Sequence, residues 1–228
     1  MDRIRTPETV FAAGNKLALI YLSMDPENPR ESCDLASTMW CWHDRYNLGD
    51  DDDKPRTEDF DGWDAVEAYI NEHYDVIAMK PLYLYDHSGI SISTGEFGDR
   101  WDSGQIGFIF VTQEHYREVM GEEASVDPVE RMAWAEEVIE SDVEVYDHYI
   151  GGSVYYGELL DLDDIGKPEV DRKSEGDYYG YNHKESGLLH DLLGSEEAKA
   201  AEEISLDEAL ERIEQAAEEK DEEFYGWR

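Results

Sequence analysis

The chain has 228 residues and carries 57 acidic and 19 basic side chains, which give a formal net charge of −38. This length suffices for one large domain or two small ones, and a hydrophobic fraction of 40% argues against a disordered chain. The charge excludes the basic face that phosphate contacts require, so we expect no direct binding to nucleic acid. An anionic membrane surface is disfavoured as a partner for the same reason.

Short apolar elements and polar loops are predicted to alternate in the first part of the chain. We interpret Met1–Asn15 as a polar lead with room for a short helix, whereas the apolar run Lys16–Ser23 predicts a buried strand. Two prolines make Met24–Glu31 an extended loop. In Asp34–His43 the helical spacing of apolar residues competes with a Trp-Cys-Trp run that suits a strand, and both alternatives stay open.

An amphipathic helix, Trp63–Tyr74, is predicted to lead into a segment of low charge, Pro81–Thr112, around which the fold is organised. Apolar and polar residues alternate in Leu82–Ser93, which predicts a hairpin with its turn at Asp86–Gly89. The apolar run Ile106–Thr112 predicts a buried strand. Polar side chains fall in the connections between these strands, where function is often located because rigid strands hold a loop still.

Two helices are predicted to follow the buried strand. The first is Gln113–Met120, with Thr112 in a position to cap its amino end. Asp127, which precedes a proline, is predicted to cap a longer helix that ends near Tyr149. A pair of glycines stops that helix.

The last third of the chain is predicted to hold less regular structure. Val154–Leu160 reads as a strand with Tyr178–Tyr181 as its partner, and the polar stretch Glu169–Gly176 reads as a linker. Ser195–Phe224 is predicted to be mostly helical, with an acidic end that packs weakly. The order of elements predicts an α+β fold, with a mostly antiparallel sheet, helices packed on one face and an acidic C-terminal helix.

The predicted domain organisation follows from these elements. Residues 1–165 are expected to form a single α+β core domain. Residues 166–194 are expected to be a linker with a short strand or helix, and residues 195–228 an acidic helical tail.

The polar turns of the central segment supply the candidate residues for chemistry. If the two turns meet, then His43, Asp86, His87 and Asp102 would line one pocket, and two carboxylates with two imidazoles suit a divalent metal or general acid–base catalysis. The alternative is that Asp86 only accepts backbone N–H bonds in a turn, since adjacent residues of a strand point to opposite faces. Both alternatives stay open.

Three residues beside these turns are candidates for binding a partner, namely Arg45, Trp101 and Ser103. Trp101 would serve either as a stacking surface or as a plug in the core. Cys33 and Cys41 could join His43 as metal ligands, but the chain has no CxxC motif, so packed thiols are the simpler interpretation. Neither a P-loop nor a glycine-rich dinucleotide motif is present, and no cofactor is expected apart from the metal alternative.

Three blocks of the sequence carry a resemblance to a known family. They are YLYDHSG with WDSGQIGFI, DPENPRESCDLASTMWCWHDRYNLGD at Asp25–Asp50, and EVYDHYIGGSVYYG at Glu144–Gly157, and together they cover about a third of the chain. In this order they resemble uncharacterised proteins encoded by tailed phages and related mobile elements. The resemblance implies a viral or mobile-element source and no particular activity. Tyr178–Tyr181 stands where the family usually has a Cys/Trp-bearing segment, so no role of that cysteine is carried over.

The acidity has two interpretations. In a halophile, an acidic surface keeps a protein hydrated at high salt, and the scarcity of lysine (8 residues) and the spread of the carboxylates suit this interpretation. In a DNA mimic, carboxylates imitate phosphates. Long-range mimicry would work poorly in a salt-filled cytoplasm, because the Debye length is about 3 Å at 1 M salt.

The sequence therefore favours a non-enzymatic accessory protein of a haloarchaeal virus or mobile element, which binds a host or viral protein and could blunt a host defence. The alternatives are a metal-assisted hydrolase that uses His43, Asp86, His87 and Asp102, a DNA-mimic inhibitor, and a virion component.

No signal peptide opens the chain and no apolar run approaches the roughly 18 residues of a membrane helix. We expect a cytoplasmic location in the host cell, with the virion as the alternative.

Overall fold

The computed structural model describes residues 5–33, 35–167 and 173–226 and has the predicted α+β class. In these ranges the strands are β1 Thr9–Ala13, β2 Lys16–Leu22, β3 Thr38–Cys41, β4 Val76–Asp86, β5 Ile90–Ser93, β6 Ser103–Thr112, β7 Val154–Asp161, β8 Ser174–Tyr179 and β9 Glu202–Ile204. The α-helices there are α1 Pro29–Ser32, α2 Trp63–His73, α3 Gln113–Met120, α4 Pro128–Ile150, α5 Leu188–Leu193, α6 Ser195–Ala200 and α7 Leu206–Gly226.

The chain forms two compact units. Unit 1 comprises Met1–Pro26 and Ser153–Arg228, and unit 2 is Glu27–Gly152. This division differs from the predicted one into 1–165, 166–194 and 195–228, because β7 and β9 pair with the first two strands of the chain. Part of the predicted linker, residues 168–172, lies outside the described residues.

The sheet of unit 2 has the strand order β3-β6-β4-β5, and each neighbouring pair is antiparallel. The predicted hairpin is confirmed, with Asp86 paired to Ile90 at its turn, and β6 contains the predicted buried strand. The predicted helix starts are also confirmed. Thr112 Oγ1 accepts the His115 N–H at 3.2 Å, and Asp127 Oδ1 accepts the Val129 N–H at 2.9 Å.

Strand β3 settles the alternatives for the described part of Asp34–His43; Asp34 itself lies outside the described residues. Met39 and Cys41 pack into the core on one face of the sheet, and Trp40 packs into the core on the other. Side chains that alternate between two buried faces follow the period of a strand and not of a helix.

Helices cover both faces of the unit 2 sheet. Ile139 and Val143 of α4 pack on the face that holds Met39 and Ile109. Val66 and Ile70 of α2 pack on the opposite face, against Trp40 and Phe110 among others. The expectation of helices on one face therefore does not describe this sheet.

The sheet of unit 1 has the order β8-β7-β2-β1-β9 and is antiparallel throughout. The predicted polar lead with a short helix is wrong for Thr9–Ala13, which is strand β1. It pairs with β2 through a two-residue turn, Gly14-Asn15, and Gly14 has the positive φ of +59° that such turns require. The predicted partner of β7 is confirmed as β8, which begins at Ser174 inside the predicted linker.

Helices cover both faces of this sheet too. On one face, α5 contributes Leu188, Leu189 and Leu192 to a core that includes Ala18 and Ile20 of β2. On the other face, the buried Ala209 of α7 packs with Val10, Ala12 and Leu17. The predicted helical tail is thus interrupted by β9 and packs on the sheet through the start of α7. None of the helices in the described ranges combines the length and apolar composition that a bilayer crossing requires.

One buried histidine is expected to make the stability of unit 1 dependent on pH. His183 is 7% exposed, packs edge-on against Tyr155 with ring centroids 4.8 Å apart, and its Nδ1 has no hydrogen-bond partner in the described ranges. Burial lowers the pKa of His183, and the charge of Glu203 opposes this shift only in part. The unfolded chain then binds a proton that the folded chain does not, so stability falls as the pH drops below the unfolded pKa of about 6.5.

We expect the melting temperature of unit 1 to fall between pH 7.5 and pH 5.0, and to fall less in a His183→Leu variant. The exposed His73→Gln variant is the control and should keep the wild-type pH dependence. Thermal unfolding followed by circular dichroism at both pH values measures the difference. An unchanged pH dependence in His183→Leu would show that His183 does not contribute to it.

Candidate functional site

The two polar turns of unit 2 lie against each other. The N–H of Asp86 donates to the carbonyl of Asp102 at 2.8 Å, and His87 Nδ1 lies 3.1 Å from Asp102 Oδ2. The register of the sheet brings them together, because Tyr85, just before the first turn, pairs with Ser103, just after Asp102.

A third segment, His43–Tyr46, joins these turns through Asp86. The guanidinium of Arg45 forms an ion pair with Asp86 Oδ2, and the hydroxyl of Tyr46 donates to Asp86 Oδ1 at 3.3 Å. The carboxylate of Asp86 is therefore held by two donors from the same loop. The Arg45 side chain remains 67% exposed, while that of Asp86 is 20% exposed.

His43 joins the same surface through Arg45 and Tyr46. Its ring stacks on that of Tyr46, with centroids 5.0 Å apart, and its Nδ1 accepts the N–H of Arg45 at 3.2 Å. We name the turn surface as the residues that these contacts connect, together with Trp101, which directly precedes Asp102 in the chain: His43, Arg45, Tyr46, Asp86, His87, Trp101 and Asp102.

Trp101 is the most exposed large apolar residue of this surface. It is 95% exposed, which excludes the core plug that the sequence left open. The loop before β6 is tied by short-range bonds, since Asp99 Oδ1 accepts the Trp101 N–H at 2.9 Å and Ser103 Oγ donates to the Asp99 carbonyl. The hydroxyl of Ser103, a candidate for binding, is thus used within the loop.

The contacts group the candidate metal ligands in pairs. Within the described residues, no group of three or more His, Cys, Asp and Glu side chains could hold a metal ion. Cys41 lies in the core, where burial raises the pKa of its thiol to about 12, and Cys33 is exposed. The contacts pair Asp86 with Arg45 and His87 with Asp102.

A buried charge network in unit 2 was missed by the sequence reasoning. The Arg30 side chain is 4% exposed and binds Asp50 in two places, through Nε at 2.8 Å and through Nη2. Asp50 Oδ2 also accepts the Met39 N–H at 2.7 Å. Arg30 and Asp50 line a cleft of about 600 Å³, which is also lined by the acidic residues Glu31, Asp51, Asp52, Asp53 and Glu114.

The network continues into helix α4. Arg30 Nη1 lies 3.7 Å from Asp142 Oδ2, and the Ser37 hydroxyl donates to the same oxygen. Burial raises the pKa of Asp142, and the bond from Ser37 and the charge of Arg30 oppose that shift. The one signal in the sequence is that Asp142 stands beside Val143 and three residues after Ile139, on the apolar stripe of α4.

No protein-family model matches the chain, and it matches no curated protein and no solved structure. The resemblance to tailed-phage proteins therefore stays a prediction. The function proposed below therefore rests on the geometry of the turn surface.

Proposed function

We propose that the chain is an acidic accessory protein of a halophilic virus or mobile element, and that it acts by binding a host or viral protein through the turn surface. The observation that carries this proposal is the 95% exposure of Trp101 on a surface that also presents Arg45. Tryptophan and arginine are the residue types most enriched at binding hot spots. An indole ring that is so exposed contributes almost nothing to the packing of the fold, so packing does not explain its presence.

Hydrogen bonds of the loop backbone support binding. The loop that carries Trp101 is held by the bonds within Asp99–Ser103 and by the bond from the Asp86 N–H to the Asp102 carbonyl. A loop whose backbone already forms such bonds loses less conformational entropy when a partner binds.

The ion pairs of the turn surface suit recognition. Asp86 is bound by Arg45 and Tyr46, and His87 lies beside Asp102, so each of these charged groups is oriented by a neighbour. Binding through Trp101 and Arg45 requires neither a cofactor nor a catalytic step, so the role we propose for this surface is non-enzymatic.

The acidity indicates the conditions of binding. With a net charge of −38, the protein attracts basic proteins without specificity at low salt. At about 1 M salt the Debye length is about 3 Å, so only short-range contacts remain selective. The partner that fits is a protein with an apolar pocket for the Trp101 ring and a carboxylate for the exposed part of Arg45. Blunting a host defence in the cytoplasm is the setting we propose.

The test is quantitative capture from a halophilic host lysate at about 1 M salt with wild-type protein and two variants. We expect Trp101→Ala to lower recovery of one stoichiometric partner at least about 30-fold, the equivalent of about 2 kcal/mol for a hot spot. Val126→Ser is the matched control, because Val126 is 91% exposed in the same unit and lies outside the turn surface. Equal recovery by all three proteins, or no specific partner, would contradict the proposal.

A further inference from the structure

A serine, a histidine and a carboxylate are hydrogen-bonded in series in unit 1. Ser195 Oγ lies 2.9 Å from His190 Nε2, and His190 Nδ1 lies 2.9 Å from Asp191 Oδ1. This is the order of contacts in which a serine nucleophile, its general base and an orienting carboxylate act together. None of the three belongs to the turn surface.

A tyrosine fixes the carboxylate at the far end of the series. The hydroxyl of Tyr178 on β8 donates to Asp191 Oδ2 at 2.5 Å. Hydrogen bonds from Tyr178 and His190 lower the pKa of Asp191, which keeps it ionised at neutral pH. An ionised carboxylate at Nδ1 favours the tautomer in which Nδ1 carries the proton. Nε2 is then free to accept the proton of the Ser195 hydroxyl.

The backbone conformation between helices α5 and α6 explains why the Ser195 hydroxyl lies beside the His190 ring. Gly194 has φ +92° and ψ 164°, a conformation that is open almost only to glycine, and its N–H closes helix α5 on the His190 carbonyl at 2.8 Å. Helix α6 begins at the next residue, so this sharp turn places the Ser195 hydroxyl beside the histidine.

The helix that carries His190 and Asp191 is fixed in the core, whereas the three polar side chains are open to solvent. The leucines of α5 are buried in the core of unit 1, which fixes the helix that carries His190 and Asp191. The side chains of His190 and Asp191 are 59% and 46% exposed, and Ser195 is exposed as well. A substrate can therefore reach the hydroxyl without any opening of the fold.

We propose that Ser195 is the nucleophile of an acyl-transfer site that hydrolyses small carboxylic esters, with His190 as its general base and Asp191 as a positioning residue. This activity goes beyond the protein binding proposed for unit 2. General-base assistance contributes roughly 10²–10⁴ in rate, which is enough for an activated ester and far from enough for a peptide bond.

The reaction balances without any co-reactant except water. Ser195 Oγ forms a bond to the carbonyl carbon while its proton passes to His190 Nε2. The tetrahedral intermediate then expels the alkoxide oxygen, which takes that proton from His190 and leaves an acyl ester on Ser195. Water gives a proton to His190 and attacks the acyl carbon. The Ser195 oxygen leaves and recovers the proton, and the product is a carboxylic acid.

The test uses the full-length chain, a fluorophosphonate probe and p-nitrophenyl acetate. We expect a phosphonate adduct on Ser195 by peptide mass spectrometry, and at least a tenfold slower release of p-nitrophenol in Ser195→Ala. His190→Gln should slow the labelling of Ser195 at least tenfold and remove its pH dependence, while Asp191→Asn should slow it and alter that pH dependence. Ser174→Ala, an exposed serine of β8, should behave as wild type.

Two results would overturn the inference. One is the absence of an adduct on Ser195 while the wild-type protein remains folded by circular dichroism. The other is labelling of Ser195 at the same rate in wild type and His190→Gln, which would reduce the series to a surface hydrogen-bond network. Either result leaves protein binding by unit 2 untouched, because the two sites share no residue.

Discussion

Replacing Arg30 by methionine is expected to lower the free energy of unfolding of unit 2 by about 3–5 kcal/mol. The guanidinium neutralises Asp50 and lies 3.7 Å from Asp142, whose side chain is 9% exposed. Methionine fills much of the same volume but supplies neither the charge nor the hydrogen bonds. Two carboxylates would then remain in a poorly solvated site without their cation, and that uncompensated burial is the source of the expected loss.

Urea unfolding followed by tryptophan fluorescence measures this loss, because five of the six tryptophans, Trp40, Trp42, Trp63, Trp101 and Trp134, belong to unit 2. The double variant Arg30→Met/Asp142→Asn should recover part of the stability, since it removes one of the two stranded charges. Lys80→Met is the control. It breaks an ion pair with Glu140 at the surface, with side chains 32% and 57% exposed, and should cost less than about 1 kcal/mol. Equal losses in Arg30→Met and Lys80→Met would refute the role of the network.

Gly107→Ala is expected to destabilise unit 2 by about 3 kcal/mol by forcing strand β3 away from β6. A Cβ atom at Gly107 would lie 1.9 Å from the Trp40 carbonyl oxygen and 3.0 Å from Cys41 Cα. These are backbone atoms of the paired strand, so no side-chain rotation relieves the clash. Gly107 pairs with Cys41 of β3, and β3 contributes buried side chains to the hydrophobic cores on both faces of the sheet. Displacing β3 would therefore loosen both cores.

The same strand offers a matched control for this change. Gly104 also lies in β6, and a Cβ atom there would meet nothing within 4 Å. Gly104→Ala should therefore stay within about 0.5 kcal/mol of wild type. Urea unfolding of both variants compares them directly. Similar stabilities for Gly107→Ala and Gly104→Ala would show that the close approach of β3 to β6 can relax at little cost.

Local signals in the sequence predicted the parts of the fold that depend on neighbouring residues. The β4–β5 hairpin follows from alternation around a short polar turn, and the caps Thr112 and Asp127 follow from residue types that accept nearby N–H groups. Strand β3 stayed ambiguous because the four residues Thr38–Cys41 are too few to distinguish the period of a helix from that of a strand. Only burial on both faces of the sheet decides between them.

Long-range pairing is what the sequence could not supply. β1 is short, and β9 is a three-residue acidic strand that pairs with it from the far end of the chain. Helix α5 lies within residues 166–194, for which a linker with a short strand or helix was predicted, and its packing on β2 and β7 depends on distant residues. The contact between Ser37 and Asp142 joins residues that are 105 positions apart, so no local sequence pattern predicts it.

For the candidate site, the residue types predicted where the turns lie but not which contacts the side chains in those turns form. The turns at Asp86 and Asp102 were predicted as turns, but their contact depends on the β4–β6 register, which the sequence does not fix. The exposure of Trp101 likewise depends on where the loop leaves the sheet. The partnering of Asp86 by Arg45 turns a candidate base into half of an ion pair, and only the geometry gives that result.

The most direct measurement is site-specific photo-crosslinking from the position beside Trp101 in the halophilic host. A photoreactive phenylalanine analogue would replace Arg100, the exposed neighbour of Trp101, in one sample and Val126 in the other, so that Trp101 itself is kept. Our account predicts one dominant crosslinked protein from position 100 and none of it from position 126. The same adducts from both positions, or none from position 100, would contradict binding through the turn surface.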